Sequence, residues 1–162
     1  MQGKKLKIYL DTTVISFLKA EDALEKMAIT LQFWDMAVRD MFYIFISKLT
    51  LDEVMRCNEP KRTLLLQYLK QLDFKDLDIT KEVEELGNKY IEEKIIPHKY
   101  MDDAYHLAVA TIYNCDVVAS WNFQHMVKYK TIIGVNGVNK MLGYKEIEIL
   151  TPESMIGGDE GW

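Results

Sequence analysis

Short runs of β-branched and aromatic residues alternate with longer segments of helical period along almost the whole chain. Five such runs are strand candidates, and a helical segment follows each of the first four. Parallel strands need a crossover of a dozen or more residues, usually a helix, so this alternation is typical of an α/β domain with a mostly parallel sheet. The five candidates are Leu6–Leu10, Met41–Ile46, Phe74–Ile79, Val117–Ala119 and Ile147–Leu150.

The segments between these strands carry apolar residues at helical spacing. They predict helices at Val14–Leu18, Asp22–Asp40, Leu51–Met55, Lys61–Gln71, Thr80 to about Ile95, Asp103–Tyr113 and Thr131–Leu142. The stripe expected to be buried in the first long helix contains Leu24, Ala28, Leu31 and Met36. A chain of 162 residues holds one well-formed core, so we predict a single domain over residues 1–156. Residues 157–162 lack a core pattern and are predicted to be a flexible tail.

Charge, cysteine content and hydropathy limit the classes of protein that fit. The net charge is −5, but the segment from Tyr144 to the end holds one basic and five acidic side chains, so the remainder is nearly neutral. A nucleic-acid partner is therefore neither favoured by a basic field nor excluded by an acidic one. Cys57 and Cys115 have no spacing that indicates zinc or a disulfide. No apolar run approaches the roughly 20 residues that cross a bilayer, and the start is not leader-like, so we expect a cytoplasmic protein without a membrane segment.

Polar residues follow the strands at the points where a parallel sheet binds ligands. Asp11 follows the first strand, Glu53 lies in the helix after the second, Asp103 opens the helix before the fourth, and Asn122 follows the fourth. Loops and helix amino termini converge at the carboxyl ends of parallel strands, so these side chains are expected to meet. Each could also be a simple helix cap, and Thr50 with Glu53 matches a capping box.

Several carboxylates at one edge of a sheet repel one another and raise each other's pKa values. Such an arrangement persists when a cation compensates the charge, and Mg²⁺ or Mn²⁺ prefers these oxygen ligands. The grouping therefore predicts a divalent metal site formed by Asp11, Asp103, Glu53 and Asn122. We prefer Asp103 to its neighbour Asp102, because consecutive helical residues diverge by about 100° and only one can face the site. Asp102 is expected to cap the helix instead.

Several of these segments resemble motifs of the PIN domain family. Ile8–Ile15, with the sequence IYLDTTVI, is similar to the opening motif of that family, an apolar strand that ends in Asp. Asp103–Ala110, with the sequence DAYHLAVA, is similar to the third motif, and Glu53 lies where the family places its second acid. Ser120–Phe123 lies where a hydroxyl residue, a spacer, an Asp and often a Phe are usual, and Ile149–Glu153 resembles a common family ending.

The resemblance implies a three-layer α/β/α fold around a mostly parallel five-stranded sheet. It also implies metal-dependent cleavage of RNA by an endoribonuclease, frequently as the toxin of a VapC-type toxin–antitoxin pair. A homodimer and a small antitoxin protein are the partners that this resemblance implies, with RNA as the substrate. In such a site Thr13 and Ser120 would anchor the neighbouring ligands.

The roles of the four predicted ligands follow from the same resemblance. Asp11 and Asp103 would ligate the ion, while Glu53 and Asn122 would position waters or a second ion. Asn122 stands where the family usually has Asp, which removes one negative charge from the site. This departure keeps a second class of function open, namely a PIN-like scaffold that has lost cleavage and binds nucleic acid or a protein partner.

Other polar and aromatic residues near the predicted site have simpler interpretations. His106, one turn after Asp103, is expected to be packed and hydrogen-bonded within its apolar helix. Trp121 could stack on a base or belong to the core. Four lysines near the strand ends are expected to be solvated surface residues, namely Lys48, Lys99, Lys128 and Lys130.

Overall fold

All five predicted strands and all seven predicted helices are present in the computed structural model, which describes residues 3–156. The strands are β1 (Lys7–Leu10), β2 (Tyr43–Ser47), β3 (Phe74–Leu77), β4 (Val117–Ala119) and β5 (Glu148–Leu150). The helices are α1 (Thr12–Ser16), α2 (Leu24–Val38), α3 (Lys48–Met55), α4 (Lys61–Lys70), α5 (Lys81–Glu92), α6 (Met101–Ile112) and α7 (Tyr129–Met141). Short 3₁₀ turns occupy His98–Tyr100 and Pro152–Met155. The predicted tail, 157–162, lies outside the described residues.

The five strands form one parallel sheet in the order β3-β2-β1-β4-β5. Strand β1 is central, and Tyr9 is aligned with Phe45 of β2 on one side and with Val118 of β4 on the other. The chain extends the sheet from β1 to β3 in one direction and then returns to add β4 on the opposite side. This reversal creates a crevice between the carboxyl ends of β1 and β4, which is where open α/β sheets bind ligands.

Helices cover both faces of the sheet, as the predicted three-layer fold requires. Alternate residues of β1 enter different cores, because successive side chains of a strand point to opposite faces. Ile8 and Leu10 pack with residues of α1 to α4, whereas Tyr9 packs with residues of α5, α6 and α7. Val118 of β4 belongs to the second of these cores, while its neighbours on the strand belong to the first.

The prediction for the surface of α2 was wrong in its helical phase. Leu24 and Ala28, expected to be buried, are exposed, and Leu31 and Met36 are only partly covered. The buried residues of the helix are instead Thr30, Phe33, Trp34 and Ala37. Helix α2 carries apolar residues on several of its faces, so the helical spacing of its apolar residues does not by itself predict which face contacts the sheet.

The helix that carries Glu53 begins earlier than predicted. Helix α3 follows β2 without a loop, so Thr50 lies within the helix and the alternative of a capping box is excluded. The Thr50 hydroxyl instead donates a hydrogen bond to the carbonyl oxygen of Leu10 at 3.2 Å. Glu53 therefore lies in the second turn of α3. The prediction for Asp102 was also wrong, because Tyr100 is the N-cap residue of α6 and Asp102 lies in the first turn.

Candidate active site

Asp11 lies at the carboxyl end of β1 with its carboxylate almost fully enclosed. Its Oδ1 atom accepts hydrogen bonds from the Thr13 hydroxyl at 2.6 Å and from the Val14 amide at 3.3 Å, so Asp11 caps α1. Its Oδ2 atom accepts a hydrogen bond from the Ser120 hydroxyl at 2.6 Å. Burial raises the pKa of Asp11, while His106 and these hydroxyl donors act in the opposite direction. Only 2% of Asp11 is exposed, so this orientation is held rigidly.

The two hydroxyls that hold Asp11 also connect β1 to the segment after β4. Thr13 accepts a hydrogen bond from the amide of Trp121 at 2.8 Å, and Ser120 accepts one from the amide of Asn122 at 2.9 Å. Each hydroxyl can donate to the carboxylate while it accepts from a backbone amide. The loops after β1 and β4 are therefore joined into one unit around Asp11.

Asp103 lies in the first turn of α6, within electrostatic range of Asp11. Burial raises its pKa, and the nearby charge of Asp11 raises it further, while His106, His125 and Asn122 lower it. The carboxylates of Asp11 and Asp103 are thus near enough for the charge of one to disfavour ionisation of the other. Burial is the larger cause of the raised pKa of both aspartates, and the charge of Asp11 adds to it at Asp103.

Asn122 uses its side-chain oxygen to hold the loop after β4. Its Oδ1 atom accepts the amide hydrogens of Gln124 at 3.1 Å and of His125 at 2.9 Å. The residues that follow form turns. A carbonyl oxygen has two lone pairs, so both are engaged and the Nδ2 group remains to face Asp103. Coordination of an ion through Oδ1 would require these backbone contacts to break.

Glu53 reaches the site from α3 and is paired with His106 of α6. The Nε2 atom of His106 lies 2.9 Å from Oε1 of Glu53, and Nδ1 lies 2.6 Å from the hydroxyl of Tyr9. Burial opposes ionisation of Glu53, but the hydrogen bond and charge of His106, together with Thr12 and Arg56, outweigh it and lower the pKa of Glu53. Burial likewise works to lower the pKa of His106, but Glu53 and the two aspartates raise it above its usual value.

The sequence did not reveal the row of polar groups behind Glu53. The Tyr9 hydroxyl, fully buried, lies 2.7 Å from the Ser47 hydroxyl as well as close to His106. The expectation that His106 is packed and hydrogen-bonded was confirmed, but its partner is an acidic residue of the predicted site. One signal was available, since Asp103 and His106 are three residues apart and share a helix face.

The remaining predicted contacts have structural roles or lie on the surface. Trp121 is 6% exposed, and its Nε1 atom donates to Thr30 at 2.8 Å, so the core interpretation applies to its ring. Lys48 pairs with Asp76 and is not a free cation beside the site. Within residues 3–156, no three acidic, histidine or cysteine side chains are grouped closely enough to hold an ion as they stand. The site as it stands has two carboxylates within electrostatic range of each other, Asp11 and Asp103, and a third, Glu53, held by His106.

The family assignment rests on a match over most of the chain. The family model described as "PIN domain" matches residues 8–123, a range that contains Asp11, Glu53, Asp103 and Asn122. The chain belongs to the PIN domain family. This PIN domain has no match among curated proteins.

Solved structures show the same fold at low sequence identity. VapC20 of Mycobacterium tuberculosis, described as a toxin that cleaves the sarcin–ricin loop, has a TM-score of 0.55 and 14% identity. That match covers 86% of this chain and 98% of VapC20. VapBC2 of Rickettsia felis, solved with a DNA fragment from its promoter, has a TM-score of 0.52 and 12% identity over 90% of this chain and 98% of that one. Among residues 3–156 of this PIN domain, no helix has both the length and the apolar character of a membrane span.

Proposed function

We propose that this PIN domain is a metal-dependent endoribonuclease of the VapC type, with its active site at the crevice between β1 and β4. The observation that carries the proposal is the burial of two carboxylates, Asp11 almost fully and Asp103 partly, with the charge of Asp11 acting on Asp103. Each has a raised pKa, so the pair gains electrostatically from a bound cation. The family and the fold shared with VapC20 support the same assignment.

The donor atoms fit a hard divalent cation. Two of the hydrogen bonds to Asp11 use Oδ1 and one uses Oδ2, so one lone pair of Oδ2 remains for a ligand bond. Mg²⁺ commonly takes one or two carboxylates and completes its shell with waters and substrate phosphate oxygens. Asp11 and Asp103 would therefore hold Mg²⁺ or Mn²⁺ without a third protein ligand. When bound, the ion supplies charge neutralisation at the phosphate and a water of lowered pKa.

Each remaining residue of the site has a role that follows from its contacts. Thr13 and Ser120 fix the rotamer of Asp11, so its free lone pair keeps one direction. Glu53, held ionised by His106, accepts a proton from or orients a water in the crevice. We assign Asn122 to loop positioning and to a contact with Asp103, since its oxygen is engaged by backbone amides. The proposed site therefore uses one ion, held by Asp11 and Asp103, and does not need a second.

A protein partner of the antitoxin kind remains a prediction from the family resemblance. An exposed apolar stripe on α7 supports it, because Tyr129, Ile133 and Met141 recur at multiples of four residues and all are exposed. Exposed apolar residues in a row of this kind mark interaction surfaces. The same stripe would equally form the contact between two copies of the chain. Binding of a small partner protein in a pull-down therefore has to be compared with the oligomeric state of the isolated chain, given by its mass in solution.

Cleavage of a mixed single-stranded RNA by the purified protein tests the proposal. We expect internal cleavage with Mn²⁺ or Mg²⁺ and none with EDTA. Asp11→Asn and Asp103→Asn should each lower the rate by about 100-fold or more, because each removes a charge that holds the ion. The matched control is Asp102→Asn, which changes the exposed neighbouring carboxylate and should leave the rate unchanged.

Direct binding of Mn²⁺, followed by electron paramagnetic resonance without RNA, gives a second measurement. Wild-type protein and Asp102→Asn should bind the ion, and Asp11→Asn and Asp103→Asn should bind it more weakly. Cleavage that survives both of these last substitutions would indicate a contaminating nuclease. Tight RNA binding without cleavage by the wild-type protein would favour the non-cleaving scaffold, for which the engaged oxygen of Asn122 is the supporting observation.

A further inference from the structure

A cluster of three aromatic rings and one lysine lies beside the site, next to Asn122. The ring of Trp121 lies 6.0 Å from that of Phe17 and 6.3 Å from that of Phe123. The Nζ atom of Lys26, on α2, lies 5.7 Å from the Phe17 centroid, 5.8 Å from that of Trp121 and 5.2 Å from that of Phe123. The three rings therefore surround one cation.

The ring of Trp121 is held in place, whereas that of Phe123 is presented to solvent. Trp121 is anchored by its hydrogen bonds to Thr30 and to Thr13, and Thr13 also holds Asp11. Phe123, in contrast, is 49% exposed and follows Asn122 directly in the chain. A phenylalanine that served only the core would be buried, since burial is its main contribution to stability. The exposed part of its ring is thus available to a ligand.

We propose that Phe123 is a stacking platform for an unpaired base of single-stranded RNA and that Lys26 contacts a phosphate of the same strand. Aromatic rings beside a basic side chain are the elements that bind single strands without sequence preference, because every base offers a π face. The edge-on contact with Trp121 sets the orientation of the Phe123 ring. The subsite rests on the proposed function, since Asn122 connects Phe123 to Asp103 and would place the bound strand against the carboxylate pair.

A stacking ring at Phe123 would also distinguish unpaired from paired strands. Bases in a double helix are stacked and paired, so they cannot lie on Phe123 without being displaced. The subsite therefore favours a loop, a bulge or an unpaired end of RNA over a duplex. Cleavage sites should accordingly lie within unpaired nucleotides.

The test measures binding in EDTA, so it does not depend on cleavage. A fluorescein-labelled single-stranded RNA of about twelve nucleotides, within the range that such grooves span, is titrated with protein, and anisotropy is followed. Phe123→Leu should weaken binding by about 10-fold, and Phe123→Trp should restore it, because stacking needs an aromatic ring and not merely an apolar one. A duplex of the same sequence should bind the wild-type protein and Phe123→Leu equally.

Salt dependence separates the role of Lys26 from that of the ring. Loss of one phosphate contact should reduce the slope of log K against log salt by about 0.7 for a single strand, so Lys26→Gln should show this change. Phe123→Leu should leave the slope unaltered, because it removes no charge.

The protein contains a matched control pair at the opposite end of the sheet. Tyr43, at the amino end of β2, is 50% exposed, and the Nζ atom of Lys5 lies 4.3 Å from its ring centroid. Tyr43→Leu and Lys5→Gln should change neither the affinity nor the salt slope. If they weaken binding as much as the corresponding changes at Phe123 and Lys26, the contact with RNA is unspecific and the proposal is overturned.

Failure of this proposal can be told apart from failure of the nuclease assignment. Cleavage by the wild-type protein together with unaltered RNA affinity of Phe123→Leu would overturn the stacking platform alone. Binding that depends on Phe123 without any cleavage would support the platform and count against the nuclease. If Phe123→Leu changed only self-association in sedimentation, the cluster would be a protein docking surface and the proposal would be wrong. The proposal would also be wrong if the wild-type protein bound no RNA.

Discussion

The hydroxyl of Tyr9 lies at the base of the row of polar groups that ends in Glu53, and Tyr9→Phe removes it with little change in shape. The hydroxyl is fully buried and lies 2.6 Å from Nδ1 of His106 and 2.7 Å from the hydroxyl of Ser47. Its loss leaves a buried ring nitrogen without a partner, which costs about 1–3 kcal/mol. We therefore expect the free energy of unfolding to fall by about 2 kcal/mol.

The same substitution should affect the site because His106 is held between Tyr9 and Glu53. Without the hydroxyl, the imidazole can rotate, and the hydrogen bond that directs Glu53 weakens. Loss of the partner that orients a metal-site group typically costs 10- to 100-fold in metal affinity or activity. We expect the Mn²⁺ concentration needed for half-maximal cleavage to rise by about 10-fold.

Tyr90→Phe provides the matched control. Tyr90 is also fully buried, and its hydroxyl donates a hydrogen bond to Asn139 at 2.5 Å and lies 3.4 Å from the hydroxyl of Thr111. These partners lie on α6 and α7 and include none of the proposed site residues. Tyr90→Phe should therefore lose a similar free energy of unfolding while its metal requirement stays that of the wild-type protein.

Urea denaturation gives the stability change of each variant, and cleavage titrated with Mn²⁺ gives the metal requirement. The two variants should be alike in the first measurement and differ in the second. Equal shifts in metal requirement would mean that general loosening of the fold is the cause. An unaltered requirement for Tyr9→Phe, at a measured loss of stability, would show that the row of polar groups does not control Glu53.

Three further predictions concern the stability of the fold. Burial acts to raise the pKa of Asp116, but hydrogen bonds from Lys145, the Lys7 amide and a further lysine lower it. The ionised carboxylate therefore stabilises the fold fully above the unfolded pKa near 3.8, and this stabilisation is lost as the pH falls below that value. Asp116→Asn should cost about 2 kcal/mol at pH 7 and show a smaller loss of stability on acidification in urea titrations. Gly137 lies on α7, and an added Cβ there would meet nothing within 4 Å. Gly137→Ala should therefore raise the free energy of unfolding by about 1 kcal/mol, seen as a higher midpoint of thermal unfolding. Gly87→Ala should lower that midpoint, because the added Cβ would overlap the ring of Tyr105. Overpacking of this kind costs about 1–3 kcal/mol, which exceeds the gain in helix propensity.

Local patterns were sufficient to predict the elements but not their contact faces. The strands were predicted to within about two residues, because alternation and β-branched runs depend only on neighbouring positions. The buried stripe of α2 was wrong, since the choice of Leu24 over Phe33 depends on where the helix meets the sheet. The alternative interpretation of Thr50 and Glu53 as a capping box is excluded for a related reason. The Thr50 hydroxyl binds the carbonyl of Leu10, forty residues away, and this contact is invisible to a local motif.

The sequence by itself determined the parallel sheet, the place of Asp11 directly after β1 and that of Asp103 in the first turn of α6, because these follow from the order of elements and from the residues at their ends. Only the tertiary structure decided which polar atoms remain free for a ligand. Tyr9 meets His106 across 97 positions of the chain, and the side-chain oxygen of Asn122 accepts hydrogen bonds from two backbone amides. Hydrogen bonds of this kind depend on distance and angle between side chains from separate elements, and no spacing along a chain encodes those quantities.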